Sequence, residues 1–128
     1  MDLPQLQRWI DAYVDAWASN DPTQTGALFA QDALYYTHPY RPPWRGRDEI
    51  LKGWTEHPDP PNSWDCRYEA LAVEGSTGVV RGETTYYTDD GSVRTKYANI
   101  FVVEFDAEDR STEFTEFFMR SDPSPRPA

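Results

Sequence analysis

A single cysteine, Cys66, stands in the 128 residues, so no disulfide can form within the chain. That fits a reducing compartment. Cys66 reads as a small strand residue in preference to a nucleophile. Basic residues are scarce: 12 Lys and Arg stand against 22 Asp and Glu, for a net charge of −10 and a pI near 4.5. A phosphate backbone or an anionic membrane surface would be repelled, so neither nucleic acid nor membrane is an expected partner. No apolar run is long enough to span a bilayer, and no apolar leader opens the chain. A soluble, cytoplasmic protein is therefore the expectation. Two histidines and one cysteine make no zinc spacing. A Gly-rich phosphate loop, a Gly-x-Ser-x-Gly elbow and a dinucleotide fingerprint are all missing. Any chemistry should then be acid–base work on a small molecule, with no cofactor and no metal.

Aromatic residues are plentiful, at 15% of the chain within a hydrophobic fraction of 38%. That favours one folded core rich in Trp, Tyr and Phe, and the length suits one domain. Leu3, Leu6, Trp9, Ile10, Tyr13, Val14 and Trp17 recur at helical spacing, with Asp2-Leu3-Pro4 as a start and Asn20-Asp21-Pro22 as a stop. Pro22 opens a short second helix through Leu28 and Phe29. Ala33 to Thr37 predicts a short strand, and Pro39, Pro42 and Pro43 forbid regular structure after it. A third helix runs roughly from Asp48 to Trp54, followed by a loop from His57 to Pro61. Strands are expected at Trp64–Val73, Val79–Thr88, Val93–Phe105 and Ser111–Arg120, with Asp89-Asp90-Gly91 as a hairpin turn. The domain should span residues 1–120, and residues 121–128 read as a Pro-rich flexible tail. Helices followed by a four-stranded meander make an α+β domain, with the long helix burying its aromatic face on the sheet.

The motifs also carry a resemblance. They are Ala12-Tyr13-Val14-Asp15-Ala16-Trp17 through Asn20-Asp21, Leu28-Phe29-Ala30-Gln31-Asp32-Ala33, Gly46-Arg47-Asp48-Glu49-Ile50, Val103-Glu104-Phe105-Asp106 and Phe114-Thr115-Glu116-Phe117-Phe118. In this order and spacing, about residues 3 to 120 resemble the nuclear-transport-factor-2-like superfamily. Within it they are most similar to the SnoaL-like and ketosteroid-isomerase-like proteins. The resemblance implies a cone-shaped, cystatin-like α+β barrel, a curved mixed or antiparallel sheet wrapped around a long N-terminal helix with two shorter helices. It also implies an apolar cavity and a homodimer formed through the outer sheet face. The superfamily hosts isomerases, cyclases, dehydratases, hydrolases and non-enzymes, so fold does not settle function.

The same resemblance nominates site residues. A tyrosine at the place of Tyr13 donates to a developing enolate oxygen, and a phenol holds its proton at neutral pH. Tyr13 is otherwise a core tyrosine on the buried helix face. The isomerase-like aspartate base has Thr37 or His38 in its place; only the histidine can titrate there. The hairpin match turns Arg81, Glu83, Thr85 and Tyr87 toward the cavity. Arg81 with Glu83 or Glu116 is either a structural ion pair or an Arg–carboxylate set that polarises water or substrate. Asn99, Phe101, Val103 and Phe105 share one face of their strand, with Phe101 where the isomerase-like proteins carry a second acid. Phe114, Glu116 and Phe118 should face inward together, which is costly for the carboxylate unless it is paired or protonated. Trp17 and Trp54 are cavity or core residues, and Trp44 in the proline turn reads as a lid.

The expected catalytic set is thus Tyr13, His38, Glu83 and Glu116. Substrate would be held by Trp17, Trp44, Trp54, Arg81, Asn99, Phe101, Phe114 and Phe118. Two functions remain open on these residues. One is an acid–base enzyme acting on a small apolar molecule as isomerase, cyclase, dehydratase or hydrolase. The other is a non-catalytic ligand-binding or dimerisation domain.

Overall fold

The computed structural model of the protein describes residues 1–122. The first helix, α1 (Leu3–Ser19), begins at a capping box in which Asp2 accepts from the Gln5 backbone N–H and Gln5 accepts from that of Asp2. It ends where Asn20 takes the left-handed conformation, at φ 53°. Its apolar stripe buries Leu6, Trp9, Ile10, Tyr13 and Ala16. Each large side chain so buried stabilises the fold by about 1.5–3 kcal/mol. Asp21 caps α2 (Pro22–Leu28), with proline at its start, where no amide is needed.

Phe29 begins β1 (Phe29–Tyr36) instead of ending α2, and the strand starts four residues earlier than the periodicity predicts. The proline turn also carries a two-residue strand, β2 (Trp44–Arg45), antiparallel to β1 through Leu34 and Tyr35. Trp44 and Arg45 lie just beyond the prolines, so their backbone is free to pair. The third helix, α3 (Gly46–Glu56), is a turn longer than expected. Arg47 fixes it to β1, since Nε and Nη2 both donate to the Phe29 carbonyl, at 3.1 and 2.8 Å.

The strands β3 (Trp64–Glu74), β4 (Thr77–Tyr87), β5 (Val93–Phe105) and β6 (Ser111–Arg120) form the meander. Sheet order is β2-β1-β6-β5-β4-β3, with β1 parallel to β6 and the other pairs antiparallel. This is the expected α+β cone: a curved, unclosed mixed sheet around α1 with two shorter helices. The core is aromatic. Trp9 meets Phe29 and Phe105 edge-on, and Phe114 lies under both Tyr13 and Tyr35. Ser121 still donates to the Lys96 carbonyl, and the rest of the proposed tail, residues 123–128, lies outside the described residues. No helix among the described residues is long and apolar enough to cross a membrane.

Candidate functional site

The sheet and helices line an open-mouthed cavity of about 460 Å³. Helix α1 supplies Tyr13 and Trp17, β1 supplies Tyr35, and α3 supplies Trp54. The loop before β3 contributes His57 and Asp59, while Tyr68, Thr84, Tyr86, Tyr97 and Asn99 come from β3 to β5. Glu116 and Phe118 complete the wall from β6.

Glu116 dominates the electrostatics. It has no ion-pair partner within 4 Å among the described residues, and burial alone pushes its carboxyl from 4.5 up to about 7. At neutral pH such a group is present in both protonation states, which suits giving and taking a proton. Tyr13 and Tyr35 face it as a pair, their hydroxyls 2.9 Å apart. Desolvation raises both phenols well above their ordinary value, and the Glu116 charge raises them further. Both keep their protons. One hydrogen is used between them, leaving one for a ligand. Stacking holds the pair: Phe114 lies flat under both rings, and Trp44 covers the other side of Tyr35, centroids 5.0 Å apart.

The mouth is braced by Trp17. Its ring stacks on Trp64 at 3.6 Å, and its indole N–H donates to Asp59 Oδ2 at 2.9 Å. Trp54 stands edge-on to Tyr13.

Other nominated residues fall elsewhere. Arg81 and Glu83 are on the outer face, with Arg81 paired to Glu69 at 2.6 Å and Glu83 to Lys96 at 3.8 Å, all largely exposed. The inward residues of β4 are Val80, Gly82, Thr84 and Tyr86, so the predicted facing of this strand is reversed. The cause is its sequence, in which Val79-Val80, Thr84-Thr85 and Tyr86-Tyr87 offer either face equally. His38 does not line the cavity, and neither does Thr37. The chain has turned at the end of β1, and His38 Nδ1 accepts from the Tyr40 N–H at 3.1 Å, with Phe118 against the ring. Trp44 is no lid. It is wedged between Tyr35 and Gly53, where a Cβ would sit 2.6 Å from the indole. Phe101 and Phe114, 1% and 0% exposed, are core beneath the wall. Cys66, raised to about 11 by desolvation, keeps its thiol protonated.

Sequence reasoning passed over Tyr68 and Thr84. Their signal is weak but present, since Tyr68 stands directly opposite Gly82 across the β3–β4 ladder. The glycine leaves room for the ring, because a Cβ there would lie 2.3 Å from Tyr68 Cδ1 and 2.2 Å from the Arg67 carbonyl oxygen. The ring lies along β4 and brings its hydroxyl to Thr84, 2.5 Å away.

The SnoaL-like domain family profile matches residues 10–114. By structure the chain is similar to a candidate ketosteroid isomerase from Kribbella flavida, with 18% identity, a TM-score of 0.73 and coverage of 98% of this chain and 85% of that one. It is also similar to a nuclear-transport-factor-2-like protein of unknown function from Burkholderia xenovorans, with 18% identity, a TM-score of 0.69 and coverage of 97% and 88%. A similar protein of unknown function from Cytophaga hutchinsonii gives 11% identity, a TM-score of 0.66 and coverage of 88% and 98%. At these identities the likeness is one of fold. No curated protein matches the chain by sequence.

Proposed function

The chain belongs to the SnoaL-like domain family, and from that premise we propose that it binds a small, largely apolar molecule in the cone cavity and moves a proton on it without a cofactor. Glu116 is the proton carrier. The Tyr13–Tyr35 pair stabilises the oxyanion that forms when a carbon beside a carbonyl loses its proton. The observation that carries this reading is one desolvated carboxyl, raised to about 7, in the same cavity as a hydroxyl pair with a hydrogen to give. The work that the sequence assigns to His38 and Glu83 falls in this proposal to Glu116, which the sequence also nominates.

The test is exchange of α-protons in D2O across a panel of aromatic and alicyclic ketones, followed by NMR. Wild type should exchange at least one of them above the buffer rate. Glu116→Gln should lower that rate about 100-fold or more, the usual scale of general acid–base catalysis. A panel with no enzyme-dependent exchange, or equal rates in both proteins, removes the reading.

A second reading concerns the outer sheet face, where Ile100, Phe117 and Met119 line a groove beside Arg67, Glu69, Arg81 and Glu83. Phe117 is 42% exposed and Met119 69%. Apolar residues flanked by charges of both signs can complement a second copy of the same face about a twofold axis. This supports a homodimer. Sedimentation of wild type against Met119→Glu tests it, with a monomeric wild type as the contrary result.

A further inference from the structure

Two neighbours in sequence, Arg94 and Thr95, both line the cavity. In a regular strand they would point to opposite faces. The ladder between β4 and β5 accounts for the exception. Thr95 pairs with Tyr86 and Val93 pairs with Tyr87, which leaves Arg94 as an extra residue with no partner on β4. Such a β-bulge bends its strand and re-aims a side chain. Here it carries the Arg94 guanidinium over the ring of the inward Tyr86, 5.4 Å from its centre. Tyr97 backs that ring edge-on, with centroids 6.0 Å apart.

Arg94 is exposed and yet lines the cavity, so it stands on the rim. Among the described residues it is the only Arg or Lys on that wall. The chain has 22 acidic residues to 12 basic ones, but no described carboxylate lies within 4 Å of it. The wall has two acids. Asp59 is turned to Trp17, whose indole N–H it accepts at 2.9 Å. Glu116 stands opposite Phe101, far along β5 from Arg94. At about 3.3 Å per residue that is roughly 20 Å of strand, and no cation offsets the burial that raises Glu116. The charge of Arg94 is nonetheless felt inside. Burial first, then Asp59, push the Tyr86 phenol up, and Arg94 pulls it down. Tyr86 takes one face of the guanidinium and leaves its edge, where the N–H donors lie, open to a ligand.

We infer that Arg94 selects ligands with a carboxylate at one end: an aryl or alicyclic acid whose ring lies among Trp17, Trp54 and Tyr68 and whose carboxylate rests at the rim. The planar fork of a guanidinium matches a carboxylate through two parallel N–H donors, and it stays charged throughout the range in which proteins fold. One arginine balances one negative charge. The net charge of −10 does not forbid such a ligand, because distant charges are screened beyond about 8 Å at physiological salt. The inference rests on the reading that the cavity binds a small, largely apolar molecule, and it gives that molecule an anionic end.

The test is isothermal titration calorimetry of the full chain at neutral pH with 2-naphthylacetate and 2-naphthylacetamide, which share a shape and differ in charge. Wild type should bind the carboxylate at least about fivefold more tightly, the scale of one charge-assisted contact at a wet rim. Arg94→Gln should bring the two affinities within about twofold, and a change at so exposed a position should leave the fold intact. Arg8→Gln removes the same charge from an exposed position of α1 that does not line the cavity, and should keep the preference. Equal affinities in wild type, a preference that survives Arg94→Gln, or one that Arg8→Gln also abolishes would each overturn the inference. So would the absence of binding by either probe. Proton exchange on the ketone panel judges the catalytic reading separately. Exchange without a carboxylate preference keeps that reading and removes this one. A preference lost in Arg94→Gln, without exchange on any ketone, keeps this inference and removes proton transfer.

Discussion

Replacing Glu116 by glutamine should stabilise the protein, and do so more at pH 8 than at pH 5. Burial pushes this carboxyl from 4.5 up to about 7 in the folded state. The folded protein therefore holds the proton more tightly than the unfolded chain. The stabilisation is fully present below about pH 4.5, is lost as pH rises, and is flat above about pH 7. Integrated between pH 5 and pH 8, the loss is about 2.5 kcal/mol. Glutamine does not ionise and escapes it. Any constant difference between the side chains cancels when the two pH values are compared. The lower pH stays above the pI near 4.5, where a chain without net charge tends to precipitate. Urea unfolding of both proteins at both pH values is the assay. With an m-value of about 2 kcal/mol/M, the variant should gain roughly 1 M in midpoint over wild type between pH 5 and pH 8. A stability gap that stays constant within about 0.5 kcal/mol would refute the desolvated carboxyl, and Glu116 would lose its place as a proton carrier at neutral pH.

Gly82→Ala places a methyl 2.2 Å from the Arg67 carbonyl oxygen and against the Tyr68 ring, so it should destabilise by about 2 kcal/mol or more, read by thermal melting. Arg47→Lys replaces the two-pronged grip on the Phe29 carbonyl by a single donor and should cost about 1 kcal/mol in urea unfolding. The Cys66 thiol, raised to about 11, should react with iodoacetamide at pH 8 at least tenfold more slowly in folded protein than in urea-unfolded protein; equal rates would contradict its burial.

The helical face of α1 was legible because its apolar positions step by three and four, and the structure buries Leu6, Trp9, Ile10 and Tyr13 on that stripe. Strands β5 and β6 were legible residue for residue, since Val103, Phe105 and Phe114 leave no doubt which side is inward. The inward placement of Asn99 and Glu116 follows from them by alternation alone. The start of β1 was not legible. Phe29 and Ala30 extend the preceding helical pattern, and only pairing with β6 draws them into the sheet.

The sequence by itself therefore determined the order of the three helices and the five longer strands, the family cone and the carboxylate at position 116. Each is encoded locally, in a period or a motif. Tertiary structure alone decided which face of β4 is inward, moved Arg81 and Glu83 outside, and put Thr84 between Tyr68 and Asn99. A strand with like residues on both faces has no preference of its own, and a slip of one residue reverses every side chain. Register with β3 and β5 makes that choice. It also decided that the histidine after β1 caps a turn, while the desolvated carboxyl of the cavity, Glu116, stands on β6.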